Sequence, residues 1–180
     1  MLAAIQFGFT LGSYGIGIFL PQIIKGFGLS NLVASVLSAV PYVFASAAML
    51  WWAWRVDRTG KKIGNLTVAC AVGMVGLAAS VVSGNLAVAL SALTVALIGI
   101  TSARAIFWPI PTRFLSGVGA AAGLAFINSI GTAGGFAGPY LMGWLKDYTG
   151  SFEAGLLTMS GILLAASLLS FALKLVIKVE

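Results

Sequence analysis

Histidine is absent from this chain and cysteine occurs once. Without histidine there is no Ser-His-Asp or Cys-His nucleophilic pair, no imidazole proton relay and no His-ligated metal. The single cysteine, Cys70, sits in the apolar run Val68-Ala69-Cys70-Ala71-Val72, with no second thiol for an internal disulfide or a Cys/His metal cluster. Charge is scarce as well: 8% of the residues, with Asp and Glu together contributing four. A soluble domain carries about 25% charged residues. No two acidic residues fall inside predicted helices, which excludes an intramembrane aspartyl protease. Gly15-Ile16-Gly17 and Gly117-Val118-Gly119 neither follow a strand nor complete a dinucleotide loop. No enzyme activity, metal or cofactor is expected.

Apolar residues fill the space that charge leaves. They make up 60% of the 180 residues, and the mean hydropathy is +1.07. A soluble protein of this size would expose too much apolar surface to water; a bilayer removes that difficulty. Spanning the roughly 30 Å hydrocarbon core takes about 20 apolar residues, and six stretches qualify: residues 2–20, 32–54, 63–83, 86–108, 120–145 and 154–173. None alternates polar and apolar as a barrel strand does, so the expected class is an all-α membrane protein of six transmembrane helices. Turn chemistry marks the breaks at Lys25-Gly26-Phe27-Gly28, Asp57-Arg58-Thr59-Gly60, Gly84-Asn85, Pro109-Ile110-Pro111 and Asp147-Tyr148-Thr149-Gly150. Met1 to Gln6 lacks the basic start of a signal peptide.

The net charge of +6 bears on orientation, and no nucleic-acid partner is expected. Arg55, Arg58, Lys61, Lys62, Arg113, Lys174 and Lys178 fall on one side of the predicted topology, Lys25 and Lys146 on the other. The basic side is expected to face the cytoplasm, placing both termini there in a multi-pass protein of the plasma (cytoplasmic, inner) membrane.

Trp54-Arg55-Val56-Asp57-Arg58-Thr59-Gly60 and Trp144-Leu145-Lys146-Asp147-Tyr148-Thr149-Gly150 share the pattern W-x-x-D-x-T-G at a separation of 90 residues, as do Pro21 and Pro111. Each copy follows the second helix of a three-helix group, one inside and one outside by the charge count. This predicts two inverted three-helix repeats, residues 1–83 and 86–177, within a single bundle without a soluble domain, a plan frequent in secondary transporters.

The loop Asp57-Arg58-Thr59-Gly60-Lys61-Lys62 resembles the cytoplasmic D-R-x-G-R/K-R/K loop of the major facilitator superfamily, with Ala53 where the family pattern begins with glycine. Phe126-Ile127-Asn128-Ser129-Ile130-Gly131, Gly134-Gly135-Phe136-Ala137-Gly138-Pro139 and Gly143 through Gly150 resemble the eleventh helix of its anion:cation symporter branch. Leu20-Pro21-Gln22 and Phe107-Trp108 fit the same branch. The resemblance covers the chain as helices seven to twelve of a twelve-helix carrier, half of a major-facilitator fold. It implies secondary active transport of small organic anions, carboxylates or sugar acids, coupled to protons, by alternating access. The partners implied are the substrate, protons, the lipid bilayer and an N-terminal six-helix half. The alternative is a truncated or split half-protein that needs that partner and does not transport alone.

Five residues form the expected substrate site. Asn128 lies mid-helix, where a buried amide must be bonded, either to substrate or to a neighbouring helix; the resemblance implies a substrate-facing Asn there. Arg104 is an intramembrane cation four residues before Trp108, suited to a carboxylate. It could equally snorkel to the helix end or pair with an acid on another half. Gln6 and Tyr14 share a face of the first helix, and the resemblance turns both to the pocket; the alternatives are helix contact and packing. Trp108 walls the pocket or joins an interfacial aromatic belt with Trp51, Trp52 and Trp54. Gly131, Gly134, Gly135, Gly138 and Pro139 give the fifth helix a small-xxx-small face for close packing. Asp57, Arg58, Gly60, Lys61 and Lys62 form an orienting loop to which the resemblance adds a gate, with Asp57 steadying a neighbouring helix N-terminus.

Overall fold

Backbone amides have no water to bond inside hydrocarbon, so apolar runs of this length must satisfy themselves as helices. The computed structural model describes residues 1–82 and 84–176, apart from the side chain of Val118. Ser83, Ile177 and Lys178, used above as a span limit, a repeat limit and an orienting charge, lie outside the described residues. Six helices follow one another: α1 Leu2–Lys25, α2 Asn31–Thr59, α3 Lys62–Val81, α4 Leu86–Phe107, α5 Val118–Thr149 and α6 Glu153–Val176. A 3-10 turn at Pro111–Arg113 joins α4 to α5, and no strand occurs among the described residues. All six are long and apolar enough to cross a membrane.

α2 and α5 run further than their apolar stretches. The Asp57-Arg58-Thr59 and Asp147-Tyr148-Thr149 segments, expected within breaks, belong to the last helical turns, and the turn proper begins at glycine. Gly60 and Gly150 adopt left-handed conformations (φ 70° and 77°) and donate their N–H groups to Val56 O and Lys146 O. Thr59 and Thr149 return their hydroxyls to Arg55 O and Leu145 O at 3.0 and 2.7 Å. The threonines bond within the helix, and a residue without Cβ tolerates the αL cap that ends it. Both copies of W-x-x-D-x-T-G thus end a helix in the same way.

Several helix contacts correspond when the first three helices are exchanged with the last three, although α1 also packs on α2 without a comparable α4–α5 contact. α1 packs on α5 as α4 packs on α2, α3 contacts α4 as α6 contacts α1, and α3 meets α6. Lipid tails give apolar helices little reason to associate, so contact depends on close approach and hydrogen bonds. At the α3–α4 crossing, a Cβ on Gly76 would run into the Ala96 backbone and one on Gly99 into the Gly73 and Ala69 backbones. Between α6 and α3 the link is polar. Ser160 donates to Met74 O at 2.9 Å and Ser167 to Thr67 O at 3.0 Å, while the Thr67 hydroxyl donates to Ser170 Oγ at 3.0 Å. Phe9, Phe107, Leu66, Leu77, Leu97 and Ile100 fill the core between these contacts.

The crossing predicts its own sensitivity. Gly99→Val should destabilise the bundle by at least the roughly 1–3 kcal/mol typical of overpacking, since backbone rather than a mobile side chain blocks the new atoms. Gly161→Val, which meets open space, should leave the thermal unfolding midpoint in detergent nearly unchanged. Equal midpoints for the two variants would refute the close crossing.

Candidate functional site

α1 and α5 approach as closely as α3 and α4. A Cβ on Gly134 would strike Phe7 O, and one on Gly138 would strike Leu11 O. This contact sets which side chains meet. Gln6 is buried (3% exposed), and its Nε2 donates to Asn128 Oδ1 at 3.1 Å. Gly131 makes room for it, because a Cβ there would overlap the Gln6 amide. Gln6 Oε1 is buried without a hydrogen-bond partner. Asn128 itself is exposed on the open side of the bundle, and its carbonyl accepts the Thr132 hydroxyl at 2.8 Å.

Farther along α1, the half-exposed Tyr14 lays its ring on Gly135, near the midpoint of the 32-residue α5. The Arg104 guanidinium stands 5.9 Å from the Tyr14 ring centroid, a cation–π distance. Arg104 is near the end of α4 in sequence, yet its charge lies at the mid-depth of α5. No salt bridge to it forms among the described residues. Asp57 is in the last turn of α2, Asp147 in the last turn of α5 and Glu153 in the first turn of α6. Trp108 is partly exposed and meets Phe107 edge-on (centroids 5.6 Å), and Phe107 in turn meets Phe9 at 5.3 Å.

α1, α4 and α5 therefore present Gln6, Asn128, Tyr14, Arg104 and Trp108 at one side of the bundle: two amides, a phenol, a guanidinium and an indole. The arrangement offers hydrogen-bond donors and a positive charge, and no acid. Pro139, four residues after Gly135, lies inside α5 and deprives the Gly135 carbonyl of its helical donor.

The charged loop lies apart from this group. Asp57 is exposed and lines a cavity of about 60 Å³ with Ala53, Val56, Lys62, Ala105, Ile106 and Pro109, beside the end of α4. Arg58 stacks on Trp54 at 4.1 Å, and Gly60 is the αL cap. Lys61 O accepts from Asn65 Nδ2 at 2.6 Å, and Asn65 Oδ1 accepts from Trp52 Nε1 at 3.0 Å. Trp52 thus turns into the bundle, unlike the exposed Trp51 and Trp54. Sequence reasoning missed two polar groups near the site. Tyr42 rests its hydroxyl against Gly17 of α1, and the Ser102 hydroxyl is buried without a partner. The run Thr101-Ser102-Ala103-Arg104 was the available signal for the second.

No family model matches the chain. Two curated proteins of Agrobacterium vitis named for tartrate transport are similar to it, at 46% and 45% identity over 172 residues. The matches cover 96% of this chain and 40% and 38% of those proteins. A quinolone resistance transporter of Acinetobacter baumannii is 38% identical over 95% of this chain and 40% of its own length. The chain spans about two fifths of the length of these curated relatives.

The amide pair predicts a measurable coupling. In a double-mutant cycle on Gln6→Ala and Asn128→Ala, read by unfolding in mixed micelles, the coupling energy should fall at about 0.6–1.7 kcal/mol, the range for polar contacts between membrane helices. A value of zero would mean that the bond contributes nothing to α1–α5 association.

Proposed function

Because the chain belongs to the major facilitator superfamily of transporters and spans about two fifths of such a carrier's length, we propose that it forms the C-terminal six helices of a carrier for small organic anions, carboxylates or sugar acids. The relatives named for tartrate transport support the substrate class. The observation that carries the proposal is Arg104, a guanidinium beside the Tyr14 ring opposite the middle of α5, while Asp57, Asp147 and Glu153 lie in the end turns of their helices. An intramembrane charge marks a functional site by default, and the planar fork of arginine matches a carboxylate through two N–H bonds. Gln6 and Asn128 then read a hydroxyl or a second carboxylate, with Tyr14 and Trp108 as the walls.

The two triplets act as inverted repeats that rock against the N-terminal half in alternating access. The small face of α5 against α1 is the contact that bends or slides, and the Asp57 loop is the gate at the α2 end. Transport is proton-coupled, and the proton site lies on the other half, because no acid occupies a helix interior here. A chain lacking that half would keep the fold and lose transport. The exposure of Asn128 and Tyr14 along one open face favours such dependence on a partner.

In the carrier that contains this segment, Arg104→Gln should lower carboxylate uptake at least tenfold, mainly through a higher KM, and Arg104→Lys should restore it in part. Substrate should slow alkylation of Asn128→Cys. Unchanged uptake in Arg104→Gln would remove Arg104 from the site, and alkylation indifferent to substrate would remove Asn128.

A further inference from the structure

The Gly60 end of α2 carries a second, unrelated arrangement. Trp51 and Arg55, and Trp54 and Arg58, are spaced i, i+4, so each arginine lies over the tryptophan one turn before it. The guanidinium carbons stand 5.6 and 4.1 Å from the ring centroids, and all four side chains are exposed. Stacking fixes the plane of each guanidinium while leaving its N–H edge free, the edge that bonds two oxygens of a phosphate. Exposed Lys61 follows at the turn, where Asn65 holds its carbonyl.

The patch faces away from the candidate substrate site. Tyr42 marks the side of α2 turned to α1, since its hydroxyl rests on Gly17. At about 100° per residue, Trp51 and Arg58 fall about 180° and 160° round from Tyr42. They share that side with Val40 and Phe44, which border an open groove with Leu90, Ser91 and Thr94. Asp57, the exposed acid of this helix end, falls about 60° from Tyr42 and about 60° from Trp54, at the margin of the patch. The patch therefore joins two arginines and two indole rings, with one carboxylate at its edge, at the end of a membrane-spanning helix, where lipid headgroups lie.

We propose that Trp51, Trp54, Arg55 and Arg58, with Lys61 at the foot, form a binding site for the headgroup of an anionic phospholipid. The other copy of the repeat provides a built-in contrast. There Trp144 stacks on Tyr148 at 6.0 Å, so the aromatic is present without the guanidinium that Arg58 supplies to Trp54. The two ends of the bundle thereby differ in lipid preference: the α2 end selects negative headgroups and the α5 end does not.

The test is native mass spectrometry of the purified chain released from micelles containing equal amounts of dioleoylphosphatidylglycerol and dioleoylphosphatidylcholine. The wild type should retain phosphatidylglycerol in preference. Arg55→Gln and Arg58→Gln should each weaken that retention about fivefold, and Arg58→Tyr, which copies the other end, should match Arg58→Gln. All are surface changes, and an unaltered gel-filtration profile and helical circular dichroism will certify the fold. Equal retention of the two lipids by the wild type, or undiminished phosphatidylglycerol in the double variant, would overturn the proposal. So would dimerisation through this face regardless of lipid.

Discussion

The whole arrangement depends on two places where helix backbones touch. In a membrane, apolar side chains gain nothing by leaving lipid for another helix, so association must come from contacts that lipid cannot match. Gly76 and Gly99 let α3 and α4 approach until a single methyl group would not fit, and Gly134 and Gly138 do the same for α5 on α1. The second crossing matters for the site. It fixes the register of α5 against α1, which brings Gly131 opposite Gln6 and lets the side chain reach Asn128. A slip of one residue would turn Asn128 about 100° away from its partner.

Hydrogen bonds fix the opposite side of the bundle. Ser160, Ser167 and Ser170 tie α6 to α3 through backbone carbonyls and Thr67. With α3 and α6 joined in this way, the polar side chains of α1, α4 and α5 remain on the open side. The division of labour has a chemical basis. Serine returns a short, fully used bond to a neighbouring backbone, whereas glutamine and asparagine carry two polar ends and keep one spare. Gln6 Oε1 is such a spare acceptor, buried and unpartnered.

Much of this fold was legible in the sequence, because twenty-residue apolar runs admit few structures. The helix ends were less so. Asp-x-Thr-Gly reads as a turn, yet threonine bonds back to the fourth carbonyl before it and keeps the chain helical up to the glycine. The candidate site was visible as separate residues. Their pairing was not, since Gln6 and Asn128 meet only once α1 and α5 lie side by side, a fact of tertiary contact that periodicity does not carry. The depth of Arg104 escaped for the same reason: sequence position places it near a helix end, while its side chain reaches Tyr14 opposite the middle of α5. The serine ladder gave no signal, because serine is common in membrane helices and its partners are backbone atoms.

The charge at Arg104 bears on how a carrier of this kind could couple binding to movement. Arg104 places a guanidinium on the open side of this segment, with no salt bridge to it among the described residues. Closing a dry interface over an unpaired guanidinium is costly, since desolvation of an ion is repaid only by a counter-ion in good geometry. In the proposed carrier an empty site would resist closure, and a bound carboxylate would remove that resistance in proportion to how well it pairs. On this reading the anion does more than occupy the site: it supplies the missing counter-charge that lets the two halves meet. A neutral analogue of the same shape would fill the space and leave the barrier in place, so in the proposed carrier selectivity for anions would arise at the closing step as well as at binding.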